Sequence, residues 1–124
     1  MKKMILVGGF LLCGSLAMAS AVDCYKAAKS DADASADLSV TGLVNLCSGS
    51  ASVAPLTCYK VAKADSVVGA DLSATGLVNL CSGATSSSPI SCYKAAKADA
   101  TLSADLTVTG IVNLCSVKTN IHHD

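Results

Sequence analysis

Residues 24–47 read CYKAAKSDADASADLSVTGLVNLC; residues 58–81 return as CYKVAKADSVVGADLSATGLVNLC and residues 92–115 as CYKAAKADATLSADLTVTGIVNLC. The spacing is 34 residues with no insertion or deletion, so Cys24, Cys58 and Cys92 open three units that Cys47, Cys81 and Cys115 close. A fixed period of this size is the mark of a repeat chain in which each copy is one supersecondary element. The units span residues 23–56, 57–90 and 91–118, and residues 119–124 form a tail.

Within a unit the pattern predicts two helices. Asp23, Thr57 and Ser91 stand directly before the opening cysteines as N-cap types, so helix A is expected to begin at the cysteine and to run about two turns, through Lys29 or Asp31 in the first copy. Leu56 and Ile90 occupy staple positions, and Pro55 and Pro89 favour an extended approach. Ser39, Ser73 and Thr107 are the expected caps of helix B, where Leu43, Leu46 and Cys47 share one face. Gly49 and Gly83 follow the closing cysteines, where a left-handed residue ends a helix; Val117 takes that place in the third unit. The segment DADASADL at 31–38 reads as a loop with at most a helical turn, or as an extension of helix A. Gly42, Gly76 and Gly110 inside helix B predict a close approach to helix A or to the next unit.

Opening and closing cysteines lie at neighbouring ends of an antiparallel hairpin whose two helices have similar length. This favours Cys24–Cys47, Cys58–Cys81 and Cys92–Cys115. The competing scheme crosses the junctions, joining Cys47 to Cys58 and Cys81 to Cys92 and leaving Cys24 for Cys115.

The N-terminus carries a targeting pattern. Lys2 and Lys3 precede the apolar run Met4 to Leu16, and two A-x-A patterns place cleavage after Ala19 or Ala21. The run is shorter than the roughly 20 residues of a membrane-spanning helix, so no membrane insertion is expected after cleavage. Leu12 before Cys13 and Asp23 before Cys24 are not the small residues that precede a lipidated cysteine. Cys13 leaves with the signal, and the six remaining cysteines suit three disulfides in a secreted or periplasmic protein.

The exported chain keeps nine Asp and seven Lys with no Glu or Arg, a formal charge of −2. There is no basic face for nucleic acid and no polybasic patch for an anionic membrane. Its aromatics are Tyr25, Tyr59 and Tyr93 alone.

The 34-residue helix–turn–helix period resembles the tetratricopeptide class of solenoid. The cysteine pair tying each hairpin resembles secreted cysteine-rich repeat proteins of bacteria. The likeness is architectural and carries over no functional residue. It implies stacked hairpins with a shallow face for peptides or proteins.

Candidate chemistry is sparse. No C-x-x-C and no close ligand pairs are present, so the cysteines read as structural, and neither a metal nor a cofactor is expected. His122, His123 and Asp124 read as a solvated tail. Asp31, Asp33 and Asp37 lack the EF-hand order that calcium requires. With both histidines in the tail there is no Ser–His–Asp set, and no enzyme is expected. Tyr25, Tyr59 and Tyr93 with Lys26, Lys60 and Lys94 form the candidate binding ladder; in the structural alternative each Tyr covers its own disulfide and the lysines are a solvated face. Asn45, Asn79 and Asn113 read as caps for a backbone group between units.

The expected fold is all-α, three disulfide-stapled helical hairpins stacked as a short solenoid. The expected function is a non-catalytic binding or structural module of the periplasm or cell exterior with a protein or peptide partner. The alternative is a secreted effector, such as a small toxin or enzyme inhibitor.

Overall fold

The computed structural model describes residues 20–117. Residues 1–19, where a signal is expected and Cys13 lies, and the tail 119–124 with His122, His123 and Asp124, lie outside the described residues. The described residues are all-helical, with no strand.

Each unit holds three helices. Helix A is α1 over residues 20–30, α4 (Ala54–Ala64) and α7 (Ser88–Ala98). A short middle helix follows: α2 (Ala32–Asp37), α5 (Val68–Asp71) and α8 (Ala100–Asp105). Helix B is α3 (Val40–Cys47), α6 (Ala74–Cys81) and α9 (Val108–Cys115).

Helix A starts earlier than the cap residues suggested. Pro55 and Pro89 lie in the first turns of α4 and α7, so Thr57 and Ser91 are inside the helices, as Asp23 is inside α1. Proline needs no amide partner there and its fixed φ matches the helix, so it begins the helix instead of holding the chain extended. Val53 and Ser87 serve as caps without a side-chain hydrogen bond.

The segment expected to be a loop holds the middle helix; Asp31 and Asp99 cap it in the first and third units, and in the second Asp65 stands in the turn before it, where Val67 is the cap residue. Asp31 accepts from the amides of Asp33 and Ala34, Asp65 from Val67 and Val68, and Asp99 from Thr101 and Leu102, all at 2.8–3.1 Å. Each carboxylate occupies two otherwise orphaned donors of a first turn.

Helix B follows the sequence reading. Ser39, Ser73 and Thr107 accept from the amides of Gly42, Gly76 and Gly110. Gly49 and Gly83 take φ +72° and +78°, which ends α3 and α6 in the left-handed region. The close approach at Gly42 is local: a Cβ there would lie 3.2 Å from the Leu38 side chain, before any contact with helix A or the next unit.

The disulfides join Cys24 to Cys47, Cys58 to Cys81 and Cys92 to Cys115, each with Cα atoms 5.6 Å apart. Every bridge lies within a unit. Inside units α4 packs on α6 and α7 on α9; between units α3 meets α4 and α6, and α6 meets α7 and α9. Fully buried Ala28 and Ala62, with the nearly buried Ala96, leave room for this on the A helices. Leu43, Leu46, Leu77, Val78, Leu80, Ile111 and Val112 supply most of the bulk from the B helices.

Candidate functional site

Successive units are joined by one polar pattern. The Tyr59 phenol donates to Asp37 Oδ2 at 3.0 Å, and the Tyr93 phenol to Asp71 Oδ2 at 2.9 Å. Lys63 joins Tyr59 on Asp37, and Lys97 joins Tyr93 on Asp71. Lys60 pairs with Asp31 at 2.7 Å and Lys94 with Asp65 at 2.9 Å. The Ser82 hydroxyl donates to the Asn45 carbonyl oxygen at 2.6 Å, a further link between units.

The electrostatics follow from these contacts. Lys63, helped by the Tyr59 phenol, holds the Asp37 carboxyl below the usual carboxylate range; Lys97 and Tyr93 do the same for Asp71. Lys60 and two helix amides lower Asp31, and Lys94 with the Val68 and Val67 amides lowers Asp65 to about 2. Burial, then the adjacent carboxylate, raises both tyrosines, Tyr93 to about 12.

The candidate ladder is therefore split by the structure. Tyr59 and Tyr93 are fully buried against the preceding unit, and Lys60 and Lys94 are ion-paired to it. Tyr25 is half-buried and Lys26 exposed in the first unit, and residues 1–23 do not repeat the pattern. The buried phenols contact the preceding unit's aspartate and present no face to a ligand. Asp31 and Asp37 are likewise taken up by Lys60, Lys63 and Tyr59, and among the described residues no cluster of His, Cys, Asp or Glu could hold a metal ion.

The open polar surface lies instead along the B helices. A groove of about 340 Å³ separates α3 from α6; Asp37, Ser39, Thr41 and Asn45 line one wall, and Thr75, Val78 and Asn79 the other. An equivalent groove of about 330 Å³ separates α6 from α9, with Asp71, Ser73, Thr75 and Asn79 facing Thr109, Val112 and Asn113. Thr75 and Asn79 line both, so the two grooves form one strip. Asn45, Asn79 and Asn113 are exposed, and among the described residues their side-chain amides make no hydrogen bond. The expected capping role between units is thus not seen; only the Asn45 backbone oxygen is engaged. The signal for this surface was the Asn offset itself, three times two residues before a closing cysteine.

No protein-family model matches this chain, and neither a curated protein nor a solved structure matches it. Three disulfides fit an oxidising, extracytoplasmic environment. Among the described residues no helix is long and apolar enough to cross a membrane.

Proposed function

We propose that this is an exported, non-catalytic repeat protein whose three disulfide-braced hairpins stack as a short solenoid and bind an extended peptide segment along the α3–α6–α9 face. The observation that carries the reading is the row Asn45, Asn79 and Asn113: exposed, unpartnered among the described residues and lining contiguous grooves. A primary amide offers two donors and an acceptor, the set that pairs with both the N–H and C=O of a peptide unit. Adjacent packed helices lie roughly 8–10 Å apart. An extended chain advances about 3.3 Å per residue, so successive asparagines would meet about every third peptide unit. Thr41, Thr75 and Thr109 add hydroxyls along the same strip. Repeat arrays commonly use such a continuous face for extended partners. The signal pattern and disulfides support placement in the periplasm or outside the cell.

The test is selection from a random linear peptide library on the oxidised, signal-free protein, followed by affinity measurement of the enriched peptides. Asn79→Ala, which touches both grooves, is expected to weaken binding at least about tenfold, the loss typical of buried amide hydrogen bonds. Peptides that bind the wild type, Asn79→Ala and Asn45→Ala equally would refute the assignment.

A further inference from the structure

The bonds between units leave matched partners unused at opposite ends of the chain. In the second and third units a tyrosine and two lysines reach back to two aspartates of the unit before. The first unit carries the same three side chains, Tyr25, Lys26 and Lys29, and residues 1–23 do not repeat the pattern. The third carries the same two aspartates, Asp99 and Asp105, and residues 116–124 do not repeat the pattern. Among the described residues Tyr25, Lys26, Lys29 and Asp105 have no side-chain hydrogen bond or ion pair, and Asp99 only caps its own helix.

The apolar contacts show the same asymmetry. Leu46 and Leu80, in units that another unit follows, are fully buried, whereas the equivalent Leu114 is 52% exposed. Val78 and Val112 are 4% exposed beneath the preceding unit, whereas the equivalent Val44 is 48% exposed. One end therefore presents carboxylates with an uncovered leucine, and the other presents ammonium groups and a phenol with an uncovered valine. These two surfaces already fit each other twice within the chain.

We propose that the exported protein binds a second copy of itself head to tail, Tyr25 and Lys29 of one protomer meeting Asp105 of its partner and Lys26 meeting Asp99. The inference rests on the stacking of units proposed above and not on the peptide groove. Two different surfaces meet, so each added copy exposes a fresh end; growth continues as a filament unless the rotation closes a ring. The occupant is a copy of this chain because charge, hydrogen-bonding set and apolar residue on each end all match the other end.

Sedimentation velocity of the oxidised, signal-free protein from micromolar to millimolar concentration tests this. Mass is expected to grow in whole-chain steps, either without limit or to a ring. Asp105→Lys and Lys29→Asp should each raise the concentration needed for assembly at least about tenfold, because like charges then meet at the contact. An equimolar mixture of the two variants should assemble again, since every mixed contact regains opposite charges. A protein that stays monomeric throughout overturns the proposal. So does a mixture of folded variants, judged by circular dichroism, that fails to reassemble, which would mark a symmetric or unrelated contact. Removal of residues 119–124 that converts a monomer into an assembling chain would assign the acidic end to the tail and overturn it too. Peptide capture, read on the same samples, is expected to survive both charge variants; capture lost with assembly intact would sink the groove reading alone.

Discussion

The Tyr59 phenol donates a 3.0 Å hydrogen bond to Asp37 of the preceding unit, and Lys63 closes on the same carboxylate. Tyr93 and Asp71 reproduce this one unit later at 2.9 Å. Both phenols are fully buried, so each hydroxyl depends on an aspartate 22 residues upstream.

Replacing Tyr93 by Phe should lower stability by about 1–2 kcal/mol, the cost of losing a hydrogen bond to a charged acceptor. For a domain of this size that is a fall of several degrees in Tm. The same contact predicts alkaline sensitivity. Tyr93 is raised from its ordinary 10 to about 12 by burial and by Asp71. Its neutral form therefore stabilises the fold fully below pH 10, and that contribution is lost as pH rises toward 12. Tyrosinate absorbance should show Tyr59 and Tyr93 ionising late, together with the loss of helical ellipticity. Ionisation of Tyr59 and Tyr93 before any unfolding would contradict the buried pairing.

At the acid end the sign is opposite. Lys94 and two amides lower Asp65 to about 2, and Asp31, Asp37 and Asp71 are lowered too. Their contribution is present above the ordinary carboxylate value and is lost as pH falls through it toward 2. Asp65→Asn keeps a capping oxygen but removes the charge. Its Tm should fall less steeply than that of the wild type between pH 5 and pH 2, and a parallel decline in the two proteins would rule the linkage out.

Ser50 offers a gain. Its hydroxyl is buried and has no partner among the described residues, while Ala84 fills the same place in the second unit, 2% exposed. Ser50→Ala should raise stability by about 1 kcal/mol, because an unsatisfied buried hydroxyl is removed. Thermal melts would read this as a higher Tm. A lower Tm would mean the hydroxyl is satisfied by something outside the described contacts, such as water.

Leu46 and Leu114 occupy one position of the pattern in two environments, fully buried and 52% exposed. In dilute protein Leu46→Ala should cost about 2–5 kcal/mol, in the range for core truncations, whereas Leu114→Ala should cost about 0.5 kcal/mol or less. Equal losses in chemical denaturation would contradict the exposure of the last unit's outer face.

Reduction should act on every unit. Each bridge closes a loop with a sequence separation of 23. The chain-entropy model assigns such a loop about 3 kcal/mol. Full reduction is expected to lower Tm sharply or to unfold the chain. Non-reducing tryptic digestion should give one linked species, because Cys47 and Cys58 share a peptide, as do Cys81 and Cys92. An unchanged melt after reduction, or release of those two peptides alone, would refute the pairing.

The parts of the fold legible in the sequence were those set by local chemistry. Ser39, Ser73 and Thr107 cap helix B because a hydroxyl three residues ahead of an amide can do so regardless of the neighbours. The cysteine pairing expected from a hairpin holds, although helix A begins before its cysteine, is longer than helix B and is separated from it by the middle helix. The middle helix was obscured because aspartate-rich, small-residue sequence also suits loops; two amides per carboxylate decide it only once the turn has formed. Pro55 and Pro89 fit either an extended approach or a first helical turn, and the sequence pattern does not separate the two. The candidate site was less legible still. The tyrosine and asparagine rows share the same regularity, yet one is buried by an aspartate 22 residues away and the other is left open along the grooves. Periodicity shows that positions are equivalent, while the neighbouring unit decides which of them meet solvent.

Each covalent bridge begins and ends inside one 34-residue copy, and none crosses a junction. Gain or loss of a whole copy by in-frame duplication or deletion would change the thiol count by two and strand no sulfur. A gene encoding this chain can lengthen or shorten its product without re-learning an oxidation pathway, so array length is open to selection separately from correct disulfide pairing in an oxidising environment.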